Sequence, residues 1–382
     1  MKICIFVHNF LPFLGGVERY VYNLSKELIA RKHKIVIVTN NTMDVETYEN
    51  MDGIDIYRFD CIKLLSGRFA IPKINKTNRK IMSEVNKNKF DFAIITPRFY
   101  IHSYIGARFA KKKKIPALVI EHGTGHFTVN NIFLDKLGEL YEHIITKFVK
   151  RNVPHFAGVS NACNEWLKHF NITAELVLYN AIDLNGIISI LKKNDRSFRE
   201  EYNIPPDAVV VTYTGRLIAE KGIEKLIKAC LRKDYNKDIY LFIAGDGDLF
   251  EKINKIHNDR IITLGRLKFS DIIGLLKDTD IYCLPTDYAE GLPTSVLEAI
   301  ACRDYVITTK AGGSKELICS PEYGMILKNN TSDAISVAIK NYIDDAESSE
   351  LAIKNAYKKL SEEFTWVCTT DKFLNYVNQN MK

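Results

Sequence analysis

Residues 209–230 read VVVTYTGRLIAEKGIEKLIKAC, and the passage from its first half to its second decides the fold. Val209–Tyr213 is a short run of β-branched and aromatic residues, the composition of one buried strand. Ile223, Leu226, Ile227 and Cys230 then recur at helical spacing, so the chain turns from strand to helix across one short loop. A strand that feeds a helix directly is the first half of a βαβ unit, and its next strand runs parallel.

The same alternation extends in both directions. Downstream, Tyr240–Ala244, Ile261–Leu264, Ile281–Leu284 and Val306–Thr309 are strand-like; upstream, so are Ile3–Val7, Ile35–Thr39, Phe92–Thr96 and Ala117–Glu121. Gly15-Gly16 opens a helix whose Val17, Val21, Leu24 and Leu28 share a face. Ser270 or Asp271 is expected to cap the helix through Leu276, and Thr294 or Ser295 the one through Ala301. Between Leu178 and Pro206 the pattern breaks into a charged segment and a Pro-Pro-Asp turn. We therefore expect an α/β protein of two doubly wound, Rossmann-like domains, 1–182 and 183–363, facing each other across a cleft. A last helix over 364–380 carries Trp366, Thr370, Phe373 and Val377 on one face. That face needs a surface to bury against, and the first domain is expected to provide it.

Composition fits two cores. Of the 382 residues, 46% are hydrophobic and 26% charged, and neither low complexity nor a solenoid repeat interrupts them. The eight cysteines include no Cys-x-x-Cys pair, and Cys4 and Cys283 sit inside apolar runs, so they are expected to be buried in a reducing compartment rather than to bind zinc. The run Ile3–Val7 is too short for a signal peptide, and no apolar stretch is long enough to span a membrane. The expectation is a cytoplasmic protein. Residues 1–182 carry 26 Lys and Arg against 16 Asp and Glu, a net of +10; the remainder carries 27 against 30, a net of −3. A basic first half, with Lys111–Lys114 at its sharpest, suits an anionic partner such as the inner face of a membrane.

In open α/β sheets ligands bind beyond the carboxyl ends of the strands. Arg216 and Lys221 follow the strand Val209–Tyr213 at a helix entry, with Gly215 and Gly222 allowing the turn, and two cations there suit a diphosphate. Glu290 and Glu298 flank the next helix entry, after Ile281–Leu284, with the N–H groups of Gly291 and Leu292 between them. One carboxylate can accept hydrogen bonds from sugar hydroxyls and the other from a ribose diol, which makes the four side chains a cradle for a nucleotide sugar. Asp246-Gly-Asp248 and Asp278-Thr-Asp280 spell a metal-binding Asp-x-Asp, but turn and capping preferences account for both. A dinucleotide-dependent oxidoreductase would need Gly-x-Gly-x-x-Gly after the first strand, which Gly15-Gly16 does not supply. Two rival functions are a sugar-nucleotide epimerase and a binding module for anionic glycans. Nucleic acid is not an expected partner, because no aromatic residues interleave with the basic ones.

Five motifs stand in order: Gly-Gly-Val-Glu-Arg (15–19), Asn-Ala-Ile-Asp (180–183), Thr-Gly-Arg-x5-Gly (214–222), Ala-Gly-Asp-Gly (244–247) and Glu-x7-Glu (290–298). Together they resemble the retaining glycosyltransferases of family 4, the group 1 transferases, which have the GT-B fold. The resemblance implies that Arg216 and Lys221 neutralise the donor diphosphate in place of a metal, so that no cofactor is needed. It implies that Glu290 contacts the donor sugar and Glu298 the ribose, that Gly15 and Gly16 form a loop closing on the phosphates, and that His122 approaches the sugar. Glu121 is a carboxylate that could serve a double displacement, whereas the family implies front-face departure and attack without a protein nucleophile. The implied partners are a nucleotide-sugar donor, UDP-linked by preference, and a saccharide or lipid-linked acceptor in surface polysaccharide synthesis. Peripheral attachment to an anionic membrane goes with that acceptor.

Overall fold

The computed structural model describes residues 1–129 and 131–380. The chain divides into two compact units, Met1–Asn180 with the segment from Trp366, and Ala181–Thr365. Each unit is built on its own sheet.

The first unit contains strands β1 (Lys2–Val7), β2 (Lys34–Asn40), β3 (Tyr48–Met51), β4 (Ile54–Phe59), β7 (Phe92–Thr96), β8 (Ala117–Glu121), β9 (Phe156–Gly158) and β10 (Leu176–Val177), besides a separate hairpin of β5 (Cys61–Leu64) and β6 (Phe69–Pro72). The large sheet has the order β10-β9-β8-β7-β1-β2-β4-β3, parallel except for the β3–β4 pair. Central strand β1 is flanked on both sides, Ile3 pairing in register with Ile35 and with Phe92. Its side chains from Ile3 to Val7 are fully buried, which is why they form an unbroken apolar run rather than an alternating one. Helices α1 (Gly16–Ala30), α2 (Lys76–Asn86), α3 (Ile101–Lys113), α4 (Ile132–Asn152) and α5 (Asn161–Leu167) make the crossovers. Strand β4 escapes the sequence reading: its Asp55, Tyr57 and Arg58 interrupt the apolar run, because this strand lies near the sheet edge and pairs outward with β3.

The second unit's sheet has the order β13-β12-β11-β14-β15-β16, all parallel, with β11 (Val209–Thr214), β12 (Ile239–Ala244), β13 (Ile261–Gly265), β14 (Ile281–Leu284), β15 (Tyr305–Thr309) and β16 (Met325–Leu327). Its helices are α6 (Leu184–Lys193), α7 (Phe198–Glu201), α8 (Ile223–Cys230), α9 (Phe250–Asn254), α10 (Phe269–Lys277), α11 (Thr294–Cys302), α12 (Ser314–Leu317), α13 (Ser332–Asp344) and α14 (Ala346–Glu363). The reversal of strand order at β11–β14 makes these neighbours the switch point of the unit. Two expected caps are absent. Helix α10 starts after Lys268 and α11 after Pro293, neither with a side-chain cap. The hydroxyl of Ser295 is instead engaged with Tyr282, and Asp271, inside the first turn, lies 3.7 Å from Arg196.

Helix α15 (Trp366–Asn380) returns to the first unit. Its Trp366, Thr370, Phe373 and Val377 are buried: Trp366 packs edge-on against Tyr20 of α1, and Phe373 against Phe92 of β7. Arg31 at the end of α1 bonds Asp371 and donates to the Val367 carbonyl at 3.2 Å. We expect Phe373→Ala to destabilise the first unit by about 3–5 kcal/mol, the usual cost of emptying a buried phenylalanine site, measured as a shift in its denaturant midpoint.

Candidate functional site

In the second unit the loops after β11, β14 and β15 are knitted backbone to backbone. Glycine is required at two of the crossings. A Cβ on Gly222, whose φ is +74°, would stand 2.1 Å from the Pro285 carbonyl oxygen, and one on Gly312, at φ +56°, would stand 2.0 Å from that of Glu290. The Gly313 N–H donates to Gly291 O at 2.8 Å and the Asp287 N–H to Glu220 O at 2.8 Å. The segment from Asp287 to Gly291 is thus held from both sides. Gly215 bends the chain out of β11 while its N–H bonds Ala244 O, and Tyr213 Oη donates to Arg216 O at 2.7 Å, fixing where the Arg216 side chain starts.

This scaffold brings the expected residues together. Lys221 and Glu290 form an ion pair, both side chains largely buried. The Tyr288 ring lies beside both cations, 4.9 Å from the Arg216 guanidinium and 5.5 Å from Lys221 Nζ, within cation–π range. Arg216 itself is exposed. Leu292 is buried and Gly291 half-buried at the approach to α11, whose N-terminus no side chain caps. Glu298, one turn into α11, is buried. Burial, and then the Ser295 and Thr214 hydroxyls and the Glu298 charge, act on the Tyr282 phenol, which ends well above its ordinary value. Two cations, an uncapped helix start and two carboxylates therefore stand on one sheet edge, an arrangement that can hold a dianion and a polyol side by side. Tyr288 escaped the sequence reading, although its position two residues before Glu290, in a loop after a strand, is a usable signal.

The Asp-x-Asp pairs have other work. Asp278 Oδ2 accepts from the Phe198 and Arg199 N–H groups, and Asp280 Oδ2 from Val210 N and the Arg199 guanidinium. Asp246 Oδ1 accepts from the N–H of Gly247 in an exposed turn.

In the first unit, Gly15 and Gly16 begin α1 and His122 follows β8. The His122 ring meets Tyr20 of α1 edge-on, centroids 4.8 Å apart. Its Nε2 is buried with no hydrogen-bond partner among the described residues. Burial drives the imidazole down to about 3, so it is neutral at physiological pH. The turn carrying it is fixed by Glu121, whose Oε1 accepts from the N–H groups of His122 (2.9 Å) and Gly123 (3.0 Å). Glu121 Oε2 lies 3.3 Å from Arg98, which also pairs with Glu142 at 2.9 Å. That network encloses Glu121, which is fully buried and braces the turn of His122. His8 accepts from Ala70 N–H and stacks on Tyr100 within the core.

Two family models match the chain in tandem: Glycosyltransferase Family 4 over residues 14–185 and Glycosyl transferases group 1 over 194–359. Between them they span most of its length. The chain is a group 1 glycosyltransferase. Relatives of this transferase include an uncharacterized glycosyltransferase of Methanocaldococcus jannaschii, 25% identical over 96% of this chain and 95% of the relative. The phosphatidylinositol N-acetylglucosaminyltransferase GPI3 subunit of Saccharomyces cerevisiae is 23% identical over 96% of this chain and 80% of its own. Among solved structures, the Anabaena protein HepE in complex with UDP matches with a TM-score of 0.75 at 18% identity, covering 99% and 100% of the two chains. Sucrose-phosphate synthase from Thermosynechococcus elongatus matches at 0.76 and 17%, covering 99% and 98%. This chain has the GT-B fold.

The transferase has one further carboxylate that the sequence reading passed over, Glu18 of the Gly-Gly-Val-Glu-Arg motif. It folds back over the start of α1, so that a Cβ on Gly15 would stand 2.4 Å from its Oε2. Burial raises its pKa to about 7 against the pull of its own backbone N–H. The folded chain therefore favours the protonated acid. The stability this contributes is full below about pH 4.5 and is lost as pH rises through about 7. We expect Glu18→Gln to raise the melting temperature over wild type at pH 8 by several degrees and to change it little at pH 5, in parallel thermal melts.

Proposed function

We propose that this glycosyltransferase moves a sugar from a nucleoside diphosphate donor, UDP-linked, to a saccharide or lipid-linked acceptor with retention of anomeric configuration and without a metal. The observation that carries the reading is the Arg216–Tyr288–Lys221–Glu290 cluster at the uncapped start of α11. Breaking the anomeric bond puts positive character on the sugar and added negative charge on the departing diphosphate. Cations fixed in advance where that charge develops are the largest catalytic term open to such a site. In this reading Arg216 and Lys221 take the diphosphate, with the N–H groups at Gly291 and Leu292. Glu290 is handed from Lys221 to the sugar hydroxyls, Glu298 binds the ribose, and Gly215 keeps the phosphate approach clear of side chains. His122, neutral and with its Nε2 unpartnered among the described residues, is suited to hydrogen-bond a sugar hydroxyl, and Gly15-Gly16 to close backbone approach. The departing phosphate takes the acceptor proton. The HepE structures with UDP and with UDP-glucose support the choice of donor, and the phosphatidylinositol N-acetylglucosaminyltransferase relatives support a lipid-linked acceptor.

The test is a thermal-shift series with UDP, GDP and ADP and their sugar conjugates, with and without chelator, followed by product analysis. A chelator-insensitive rise with UDP is expected. Lys221→Ala and Glu290→Ala are each expected to lower turnover about 100- to 1,000-fold while the circular dichroism spectrum is retained. Near-wild-type turnover in either variant removes that residue from the site, and an epimerised donor without transfer would replace the reading.

Peripheral membrane attachment belongs to the same proposal. Helix α4 carries Phe133, Leu137, Leu140, Ile144 and Phe148, all exposed and spaced along one stripe, with Lys136 and Lys147 exposed beside it. Among the described residues no helix is long and apolar enough to cross a membrane, whereas this stripe suits an interfacial helix. Flotation with phosphatidylglycerol vesicles should recover the protein, and Phe133→Asp/Leu140→Asp should lower recovery at least about tenfold; equal recovery of both proteins would rule the stripe out.

A further inference from the structure

Outside the donor site, the first unit gathers three histidines that no sequence spacing connects. His126 lies in the loop after β8, His143 in the middle of α4, and His169 in the turn Lys168–Phe170 that follows α5. Their ring nitrogens lie within 4.8 Å of one another. His143 Nε2 and His169 Nε2 stand 3.2 Å apart, close to the edge of about 3.3 Å that a tetrahedron of nitrogens has around an ion at ~2.0–2.1 Å. His126 presents its Nδ1 to Glu142 Oε2 at 3.1 Å. Glu142 is fully buried and held in turn by Arg98 at 2.9 Å and the Phe127 N–H at 2.7 Å. A carboxylate on one ring nitrogen sets the tautomer and turns the other nitrogen's lone pair outward, the usual support behind a metal-bound histidine. Trp166 completes the frame: it lies flat on His169, centroids 4.9 Å apart and 7° from parallel, and edge-on to His126 at 4.9 Å.

We propose that His126, His143 and His169 bind one zinc ion, leaving its fourth position to solvent. Three imidazoles and no carboxylate ligand form a set that suits zinc better than magnesium or calcium. The ion would clip the β8–α4 loop, which also carries His122, to α4 and to the 168–170 turn. The site is independent of the donor reading, and its test needs no turnover.

The full-length protein without a histidine tag is stripped with chelator and titrated with cobalt(II), then zinc(II), following visible absorption. One equivalent of cobalt with the intense bands of a tetrahedral site, displaced by zinc, is expected. His143→Ala and His169→Ala, both at exposed positions, should each weaken binding on the order of 100-fold without moving the metal-free melting temperature. His257→Ala, an exposed histidine of the second unit, should bind as wild type. No stoichiometric uptake by the wild type, uptake unchanged in the His143→Ala/His169→Ala double variant, or equal loss in His257→Ala would each overturn the site.

Discussion

A parallel strand cannot meet its neighbour through a tight turn; it must cross over, and every crossover leaves from the same edge of the sheet. That single constraint organises both units of this transferase. In the second unit it delivers the loops after β11, β14 and β15 to one edge, where the glycines at 222 and 312 let them touch backbone to backbone. The charged side chains of the candidate site then need no long-range coincidence to assemble. They are carried by adjacent loops and cannot be far apart.

The ion pair of Lys221 and Glu290 is the consequence with most bearing on chemistry. Either charge, buried alone, would be costly. Held against each other and against the Tyr288 ring, the two side chains keep one orientation. The first unit solves a similar problem with Arg98, which sits over the Phe170 ring at 3.8 Å and between two buried carboxylates. One of those carboxylates holds the backbone turn of His122, and the other faces His126.

The architecture was legible because its strands are buried on both faces and read as apolar runs, and because the candidate site residues follow those strands directly. β4 was not, since a strand near an edge mixes polar residues into its pattern. Tyr288 and Glu18 were within reach of position alone, but what singles them out, proximity to two cations and burial at a helix start, exists only in three dimensions. The cap of α11 was misplaced because Ser295 found a tertiary partner in Tyr282 and left the helix start to Pro293, and that of α10 because Asp271 lies inside the first turn, beside Arg196. The trio of histidines lies beyond any spacing rule. Its members belong to a loop, a helix and a turn that meet only after β8 and β9 have paired.

The first unit owns both the beginning of the described chain and its last helix, while the second unit is one continuous stretch between them. The two passages run side by side, Ile182 bridging to Thr365 and donating to the Phe364 carbonyl at 3.0 Å. During synthesis on the ribosome this order matters. The second unit is complete as soon as its own residues have emerged, whereas the first must wait, with the sites of Trp366 and Phe373 unfilled, until α15 has emerged as well. The half of the enzyme translated first is the half that finishes folding last.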